Sequence, residues 1–161
     1  MLMTANIGQE NLAALGRIAI ASTGIEMIAE QMIWALLGVD EPAGRALTER
    51  AWPSWLAERL EKLALRTGLD AELAERVADF ARGAKIVFQI RNDNLHGVWV
   101  SLEEGTVVRL RSVLVDGREG PEYETEFADA SGGQLSAIAE GMEGFARLAH
   151  GLLERVRSAG S

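Results

Sequence analysis

The sequence predicts a mainly α-helical protein, a four-helix up-and-down bundle with a small antiparallel β insert between its third and fourth helices. Three observations predict this class. Apolar residues recur every three or four positions in four segments, as in amphipathic helices. Between the last two segments they alternate with polar residues, as in strands. No linker or composition shift interrupts the 161 residues, so we expect one domain over residues 1–161.

The first two helices have clear ends. The first is predicted over residues 11–37, with Gly38 as its stop and Pro42 preventing its continuation. The second is predicted over residues 53–67, because proline suits a first helical turn and Gly68 suits a stop. The apolar stripes of these helices comprise Leu12, Leu15, Ile18, Ile25, Ile28, Met32 and Leu36, and then Leu56, Leu60 and Leu63.

The third helix begins after Asp70, a good N-cap residue, and is predicted to end near His96. The last helix is predicted over residues 133–157. Their stripes comprise Leu73, Val77, Phe80, Ala84 and Val87, and then Leu135, Ile138, Met142, Phe145, Ala149, Leu152 and Val156. The third helix also carries Ile86, Phe88 and Ile90 on other faces, so it is either deeply buried or shared with a second subunit, and we expect a homodimer.

The β insert is predicted over about residues 98–127 as two or three antiparallel strands packed on one end of the bundle. A Glu-Glu-Gly-Thr segment and the pair Asp116-Gly117 are the turn signals that divide it. Trp99 follows the third helix directly. We therefore expect its side chain to be at least partly buried where the chain leaves that helix.

Composition excludes several classes of function. The chain has no cysteine, which rules out disulfides and thiolate chemistry and suits a cytoplasmic protein. A net charge of −8 argues against sequence-blind binding to nucleic acid. No apolar run approaches the length that crosses a bilayer and no export signal is visible, so we expect no membrane association. Two distant histidines make no metal-ligand cluster, and we expect neither metal nor cofactor.

The segment Arg91-Asn92-Asp93-Asn94-Leu95-His96-Gly97 carries the strongest chemical signal. Arg91 occupies the next position of the third helix's apolar stripe, and such breaks in a pattern are expected at functional sites. A guanidinium offers two parallel donors to phosphate oxygens. An imidazole titrates near neutrality, as general acid–base catalysis requires. These residue types suit phosphate binding combined with proton transfer.

An arginine, a polar residue, a short gap and a histidine at the end of a third bundle helix resemble the motif of the HEPN superfamily. The resemblance covers the motif, the helix order and the bundle size, so it extends over the chain apart from the β insert. It implies a homodimeric, metal-independent endoribonuclease in a defence, stress or toxin–antitoxin system. Arg91 would bind and polarise the scissile phosphate, His96 would transfer a proton, and Asn92 would orient one of them. The ribose 2′-hydroxyl would be the nucleophile.

One position departs from the pattern. HEPN toxins that pair with a nucleotidyltransferase antitoxin often carry a tyrosine two residues after the histidine, where this chain has Val98, so that subgroup is not expected. Other HEPN domains lack activity. The alternative function is therefore a catalytically silent HEPN-like module that binds a nucleotide, RNA or a protein partner. A purely structural helical dimer is the third reading.

Each candidate residue also has a structural interpretation. Arg91 would pair with Glu26 or Glu30 of the first helix, which would otherwise lie on a solvated face. The ring of His96 would cap free helix carbonyls. Asn92 and Asn94 would form turns. His150 has no polar cluster near it in sequence and is interpreted as structural. The tryptophans are expected to be core or interface anchors rather than base-stacking platforms, and they are Trp34, Trp52, Trp55 and Trp99.

The sequence leaves the function of two sets of cations near the motif open. Arg82 and Lys85 precede Arg91 on the third helix and together with it would make a local basic strip. Arg109 and Arg111 share one face of a strand. They either extend a phosphate-binding surface or lie on a solvated strand face.

Overall fold

The computed structural model describes residues 7–101, 107–117, 120–129 and 132–159, and within the sheet it describes side chains only for residues 98–100 and 107–110. The chain is mainly helical, with a small antiparallel sheet before its last helix, as predicted. In chain order the elements are α1 (Gln9–Leu37), α2 (Glu41–Thr48), α3 (Pro53–Ala64), α4 (Ala71–Leu95), β1 (Val98–Ser101), β2 (Val107–Gly117), β3 (Gly120–Asp129) and α5 (Gly132–Ala159).

Helix α2 was missed in the sequence, so the predicted number of four helices is one too few. Its N-cap Asp40 accepts a hydrogen bond from the backbone N–H of Ala43 at 3.0 Å. Pro42 lies in the first turn, where its missing N–H costs nothing. Pro42 therefore helps to begin α2 rather than only to end α1. The buried Trp34 of α1 packs on this short helix and donates from Nε1 to Oγ1 of Thr48 at 3.3 Å.

Helices α1 and α5 form a parallel pair. Arg17 donates to both carboxylate oxygens of Glu143 at 2.8 and 2.9 Å, and Arg157 donates to Gln31 at 2.8 Å. Both contacts join residues 126 positions apart, so the two helices advance together. In an up-and-down bundle the first and last of four helices are antiparallel, and this part of the prediction is wrong. A sheet rather than a short loop precedes α5, so no tight connection fixes its direction.

Helices α3 and α4 form an antiparallel pair, shown by contacts of Arg82 with Glu61 at 3.1 Å and of Lys85 with Glu58 at 3.2 Å. The core lies between the two pairs. The stripe predicted for α4 is buried throughout, and most of those of α1, α3 and α5 are buried or packed on the core. The exception is Leu12, which is 58 % exposed near the beginning of α1.

The apolar residues that predicted a dimer face on α4 do not share one environment. Phe88 is buried and Ile90 packs against the core. Only Ile86 is an exposed large apolar side chain. The reason is that α3 covers the flank of α4 that carries Phe88, so the apolar surround of the motif is satisfied largely within one chain. Dimerisation stays a prediction with less support from this face.

The sheet has the order β1-β2-β3 with antiparallel neighbours. Asp116 pairs with Pro121 and Gly117 with Gly120, so β2 continues through the turn predicted at Asp116-Gly117. The Glu-Glu-Gly-Thr turn falls in residues 102–106, outside the described residues. Trp99 is half-buried and packs against the core, as predicted.

In length and composition α1 is apolar enough to cross a bilayer, with an 18-residue window of mean hydropathy 1.5. The expectation that no apolar run approaches this length is therefore wrong for α1. Its apolar character has a local cause, because Ile18, Ile25 and Met32 are fully buried in the core that α1 shares with α3, α4 and α5. A core helix of this kind passes the same test of length and hydropathy.

Candidate functional site

Arg91 lies half-buried in the last turns of α4. Its Nη1 donates to Oδ1 of the neighbouring Asn92 at 3.1 Å, which restrains the guanidinium. Within the described part of the chain, no carboxylate lies within the 4.0 Å of an ion pair with Arg91. The guanidinium therefore keeps donors that a ligand anion can use.

The positive charge of Arg91 acts on the carboxylate of Glu26 in α1. Burial raises the pKa of Glu26, the positive charge of Arg91 lowers it in part, and the nearby Glu30 raises it further, so that the pKa lies above its ordinary value. The interpretation that Arg91 faces acidic residues of the first helix is thus correct in location. Arg91 and Glu26 attract each other electrostatically but do not form an ion pair. The negative charge of Glu26 therefore offsets the positive charge of Arg91 only in part.

His96 is the C-cap residue of α4. Its backbone N–H donates to the carbonyl oxygen of Asn92 at 3.0 Å, while its side chain is exposed. No hydrogen bond joins the imidazole to another described residue, so the interpretation of the ring as a carbonyl cap is not what the geometry shows. A solvated imidazole at this position is accessible to a ligand.

The structure does not bring Arg91 and His96 together through any described contact. Five positions on an α-helix correspond to a rotation of about 140° and a rise of about 7.5 Å. His96 has φ −102° and ψ −1°, close to helical values, so it continues that rotation approximately. The two side chains therefore leave different faces of the end of α4. A ligand that contacts both must wrap around the helix end, or the second group must come from another chain.

Asn94 is the residue that sequence reasoning undervalued. It is 4 % exposed, and its Nδ2 donates to the carbonyl oxygen of Ile90 at 2.7 Å. Its Oδ1 accepts from Nη1 of Arg109, and its backbone carbonyl accepts from Nε1 of Trp99, each at 3.0 Å. Asn94 thus joins α4 to β1 and β2 and is no turn residue. A polar side chain two turns after Val87, in register with the buried stripe, was the available signal.

Arg109 is an anchor rather than a solvated strand residue. Its aliphatic stem crosses Gly97 so closely that a Cβ there would lie 2.6 Å from Cγ and 2.8 Å from Cδ of Arg109. Its Nε is buried and makes no hydrogen bond to a described residue. Gly97 therefore permits a close approach, and it does not close α4 with a positive φ, which Gly8 and Gly38 alone show among the described glycines. The side chain of Arg111 lies outside the described residues.

The predicted basic strip on α4 is absent. Arg82 donates to Glu61, Glu75 and Asp79, and these hydrogen bonds, that of Asp79 first, raise its pKa above the ordinary value. Lys85 pairs with Glu58. Their charges are therefore balanced locally, and they add little positive potential around Arg91.

A surface groove of about 390 Å³ lies next to the motif. It is lined by Trp52, Lys85, Phe88 and Asn92 among others. The ring of Trp52 is 78 % exposed, so the expectation of a core anchor is wrong there within one chain. The groove thus offers an aromatic surface and an amide of the motif side by side, and either can contact a ligand.

The other predicted residues lie elsewhere. Trp34 is buried, as expected of a core anchor, whereas Trp55 is partly exposed beneath the guanidinium of Arg59. His150 is exposed on α5 and is therefore not part of the core. It is also far from the motif in sequence. In the described ranges, no three His, Asp or Glu side chains are grouped as metal ligands.

Comparisons of the chain with protein-family models, curated proteins and solved structures found no match.

Proposed function

We propose that this chain is a HEPN-like, homodimeric, metal-independent endoribonuclease of a cytoplasmic defence or stress system, with Arg91, Asn92 and His96 as its catalytic residues. In this proposal α1, α3, α4 and α5 constitute a HEPN-like helical core, despite the parallel direction of α1 and α5. The resemblance of the Arg-x4-His motif motivates the proposal. The observation that carries it is the state of Arg91, which is half-buried, is restrained by Asn92 and forms no ion pair with a carboxylate of the described residues.

Of the three half-buried arginines among the described residues, Arg17 pairs with a carboxylate, whereas Arg91 and Arg109 do not. Ion pairs with carboxylates are formed by Arg17, Arg45, Arg50, Arg76, Arg82, Lys85, Arg155 and Arg157. A guanidinium that is partly withdrawn from water binds an anion more strongly than a fully solvated one, because screening is weaker. Arg91 is therefore a suitable ligand for a phosphate whose negative charge grows during the reaction.

The side chains of Arg91 and His96 leave different faces of the end of α4. This arrangement suits an active site to which two chains contribute residues. The neutral imidazole of one His96 would take the proton of the ribose 2′-hydroxyl, whose oxygen attacks phosphorus. The bond from phosphorus to the 5′-oxygen breaks, and the imidazolium of the second copy's His96 donates a proton to that oxygen. The products are a 2′,3′-cyclic phosphate and a 5′-hydroxyl, with no change in the number of protons. Arg91 would stabilise the phosphorane charge.

The second candidate is a catalytically silent module that binds RNA, a nucleotide or a protein. Two observations favour it. The carboxylate of Glu26 already attracts Arg91, and Arg82 and Lys85 are neutralised by acidic neighbours. Both features weaken the field that would draw a long polyanion to the motif. This candidate predicts binding through Arg91 without cleavage.

Incubation of the purified protein with mixed single-stranded RNAs distinguishes the two candidates. We expect cleavage that survives EDTA and stops when the scissile nucleotide carries 2′-deoxyribose. His96→Gln should reduce the rate by about 10²–10⁴-fold, as loss of a general acid or base does. His150→Gln is the matched control, because it removes the chain's other exposed histidine and should leave the rate unchanged.

Arg91→Lys tests the fork geometry of the guanidinium while keeping its charge, and we expect a loss of at least about tenfold in rate. Arg147→Lys on α5 is its control, since Arg147 is exposed and, like Arg91, lies outside the ion pairs of the described chain. RNA that is bound but not cleaved, with binding lost in Arg91→Ala, would identify the silent module. Equal cleavage by the wild type and His96→Gln would refute the catalytic assignment.

A further inference from the structure

A second groove, of about 280 Å³, lies between α1, α2 and α3, apart from the Arg91–His96 motif. Its lining is mainly aliphatic and includes Ile33, Leu37, Leu47 and Leu63, with the ring of Trp55 beside them. Ile33 is almost fully buried, whereas Leu47 is 57 % exposed, so the groove has a recessed floor and an open rim. Exposed apolar patches of this kind mark sites that bind a protein, a membrane or a ligand.

Three cations line the same groove: Arg59, Lys62 and Arg66. No carboxylate of the described residues forms an ion pair with any of them, although most other cations of the described chain are paired. The acidic residues of α3, Glu58 and Glu61, are engaged by α4 on another face. Helix α3 therefore separates its charges, with its acids toward α4 and its unpaired cations toward the groove.

We propose that this groove docks an acidic amphipathic helix of a protein partner, independently of any activity at Arg91 and His96. Arg59 and Lys62 lie about one turn apart on α3, and Arg66 lies in the turn after it, so the cations extend over seven positions, about 10 Å at the helical rise. That length fits carboxylates on successive turns of one helix better than a single small anion. Leucine or phenylalanine side chains of the partner would enter the aliphatic floor, as in other helix-in-groove complexes.

The groove continues along the surface, which supports an elongated occupant. Leu47 and Trp55 also line a neighbouring groove of about 380 Å³ that extends to Trp52. Together the two grooves, which share Leu47 and Trp55, offer several turns of helix a mainly apolar surface, to which the second groove adds the ion pair of Glu49 and Arg50. Tryptophan and arginine are the residues most often responsible for binding energy in protein interfaces.

RNA and a membrane surface fit the groove less well. One face of Trp55 is covered by the guanidinium of Arg59, which lies 5.1 Å from the ring centre, so that face is not open for base stacking. The aliphatic floor offers a base no stacking surface. A bilayer meets convex or flat apolar surfaces, whereas here Ile33 and Thr48 lie recessed and buried below the rim.

The test is selection from a displayed library of random peptides of about 16 residues, long enough for four helical turns, on the full chain. We expect enriched peptides to combine apolar residues at helical spacing with a net negative charge. Their affinity is then measured by fluorescence anisotropy on Lys62→Glu and Arg66→Glu, where we expect a loss of at least about tenfold for each. Arg147→Glu, the same charge reversal at an exposed and unpaired arginine of α5, should change affinity by less than about twofold.

Circular dichroism of each variant shows whether the fold is kept, and Leu47→Ser, which alters the exposed rim without a charge, should also weaken binding. Enriched peptides without an acidic bias, or with equal affinity for Arg66→Glu and the wild type, would overturn the proposal. So would an absence of enrichment combined with binding of a single-stranded RNA or of anionic vesicles that is lost in Lys62→Glu. Those outcomes would assign the groove to RNA or to a membrane surface.

Discussion

Replacing Gly97 by alanine tests how the end of α4 is held against the sheet. A Cβ at this position would lie 2.6 and 2.8 Å from carbons of Arg109 and 3.1 Å from the carbonyl oxygen of Asp93. Carbon atoms in contact are separated by about 3.5–4.0 Å, so Arg109 must shift by about 1 Å. That shift breaks its 3.0 Å hydrogen bond to the buried Oδ1 of Asn94.

The sign of the change in the free energy of unfolding follows from two opposing contributions. An unpaired buried acceptor costs about 1–3 kcal/mol, whereas removing a glycine stabilises by about 0.4–1 kcal/mol through the unfolded chain. We therefore expect Gly97→Ala to lower the free energy of unfolding by about 1–2 kcal/mol. In the background Arg109→Ala the obstacle is gone, and the same substitution should be neutral or slightly stabilising.

Urea unfolding followed by circular dichroism measures all four proteins of this double-mutant cycle. We expect a coupling free energy of at least about 1 kcal/mol between the two positions. Gly133→Ala is a control, because a Cβ there meets no atom within 4 Å. Equal effects of Gly97→Ala in both backgrounds would show that Arg109 is not the obstacle, and the anchoring role assigned to it would be wrong.

Three further predictions concern the helices. Gly44→Ala should destabilise the protein by about 1–3 kcal/mol through overpacking, since its Cβ would meet the ring of Trp34, with 2.5 Å to Cγ. Gly16→Ala, where a Cβ meets nothing, should instead stabilise it by about 1 kcal/mol, and thermal unfolding that gives both the same sign would refute the packing argument. Burial raises the pKa of Glu26 above 4.5, so the folded state binds the proton more tightly and stability decreases as pH rises above that value. Glu26→Gln should accordingly raise the melting temperature at neutral pH but not below pH 4.5, and a difference that is independent of pH would contradict this.

Local periodicity predicted the helices and their buried faces well. The stripe of α4 from Leu73 to Val87 is buried because a period of 3.6 and a run of apolar residues leave one choice of core face. Alternation likewise identified the sheet and the burial of Trp99. In both cases the physical cause acts between residues that are near in sequence.

One missed feature had a local signal, and the others depend on contacts between distant segments. Pro42 was interpreted as a helix stop, although Asp40 two positions earlier is an N-cap and makes the same proline a helix start. Arg109 was expected either to extend a phosphate-binding surface or to lie on a solvated strand face, because its strand register says nothing about Asn94, which approaches it from another element. The direction of α5 depends on the length and twist of the whole sheet, and no short pattern encodes either.

The site was the least predictable part. Residue types suggested phosphate chemistry at Arg91 and His96, although their spacing of five positions on one helix already places the two side chains on different faces. Spacing did not show that the acids around Arg82 and Lys85 neutralise them. Charge balance depends on which residues of α3 face α4, and that is decided by packing.

The parallel pairing of α1 and α5 has a consequence for how the chain reaches its fold. The contact between Arg17 and Glu143 closes a loop of 126 positions, so this large interface raises the contact order and slows folding. During synthesis α1, the most apolar helix, leaves the ribosome before α5 and stays without this main neighbour until α5 has emerged. A nascent chain in that state presents an uncovered apolar segment to chaperones and to aggregation. We expect truncation before α5 to yield an insoluble product, even though the candidate site and the whole of α4 would be present in it.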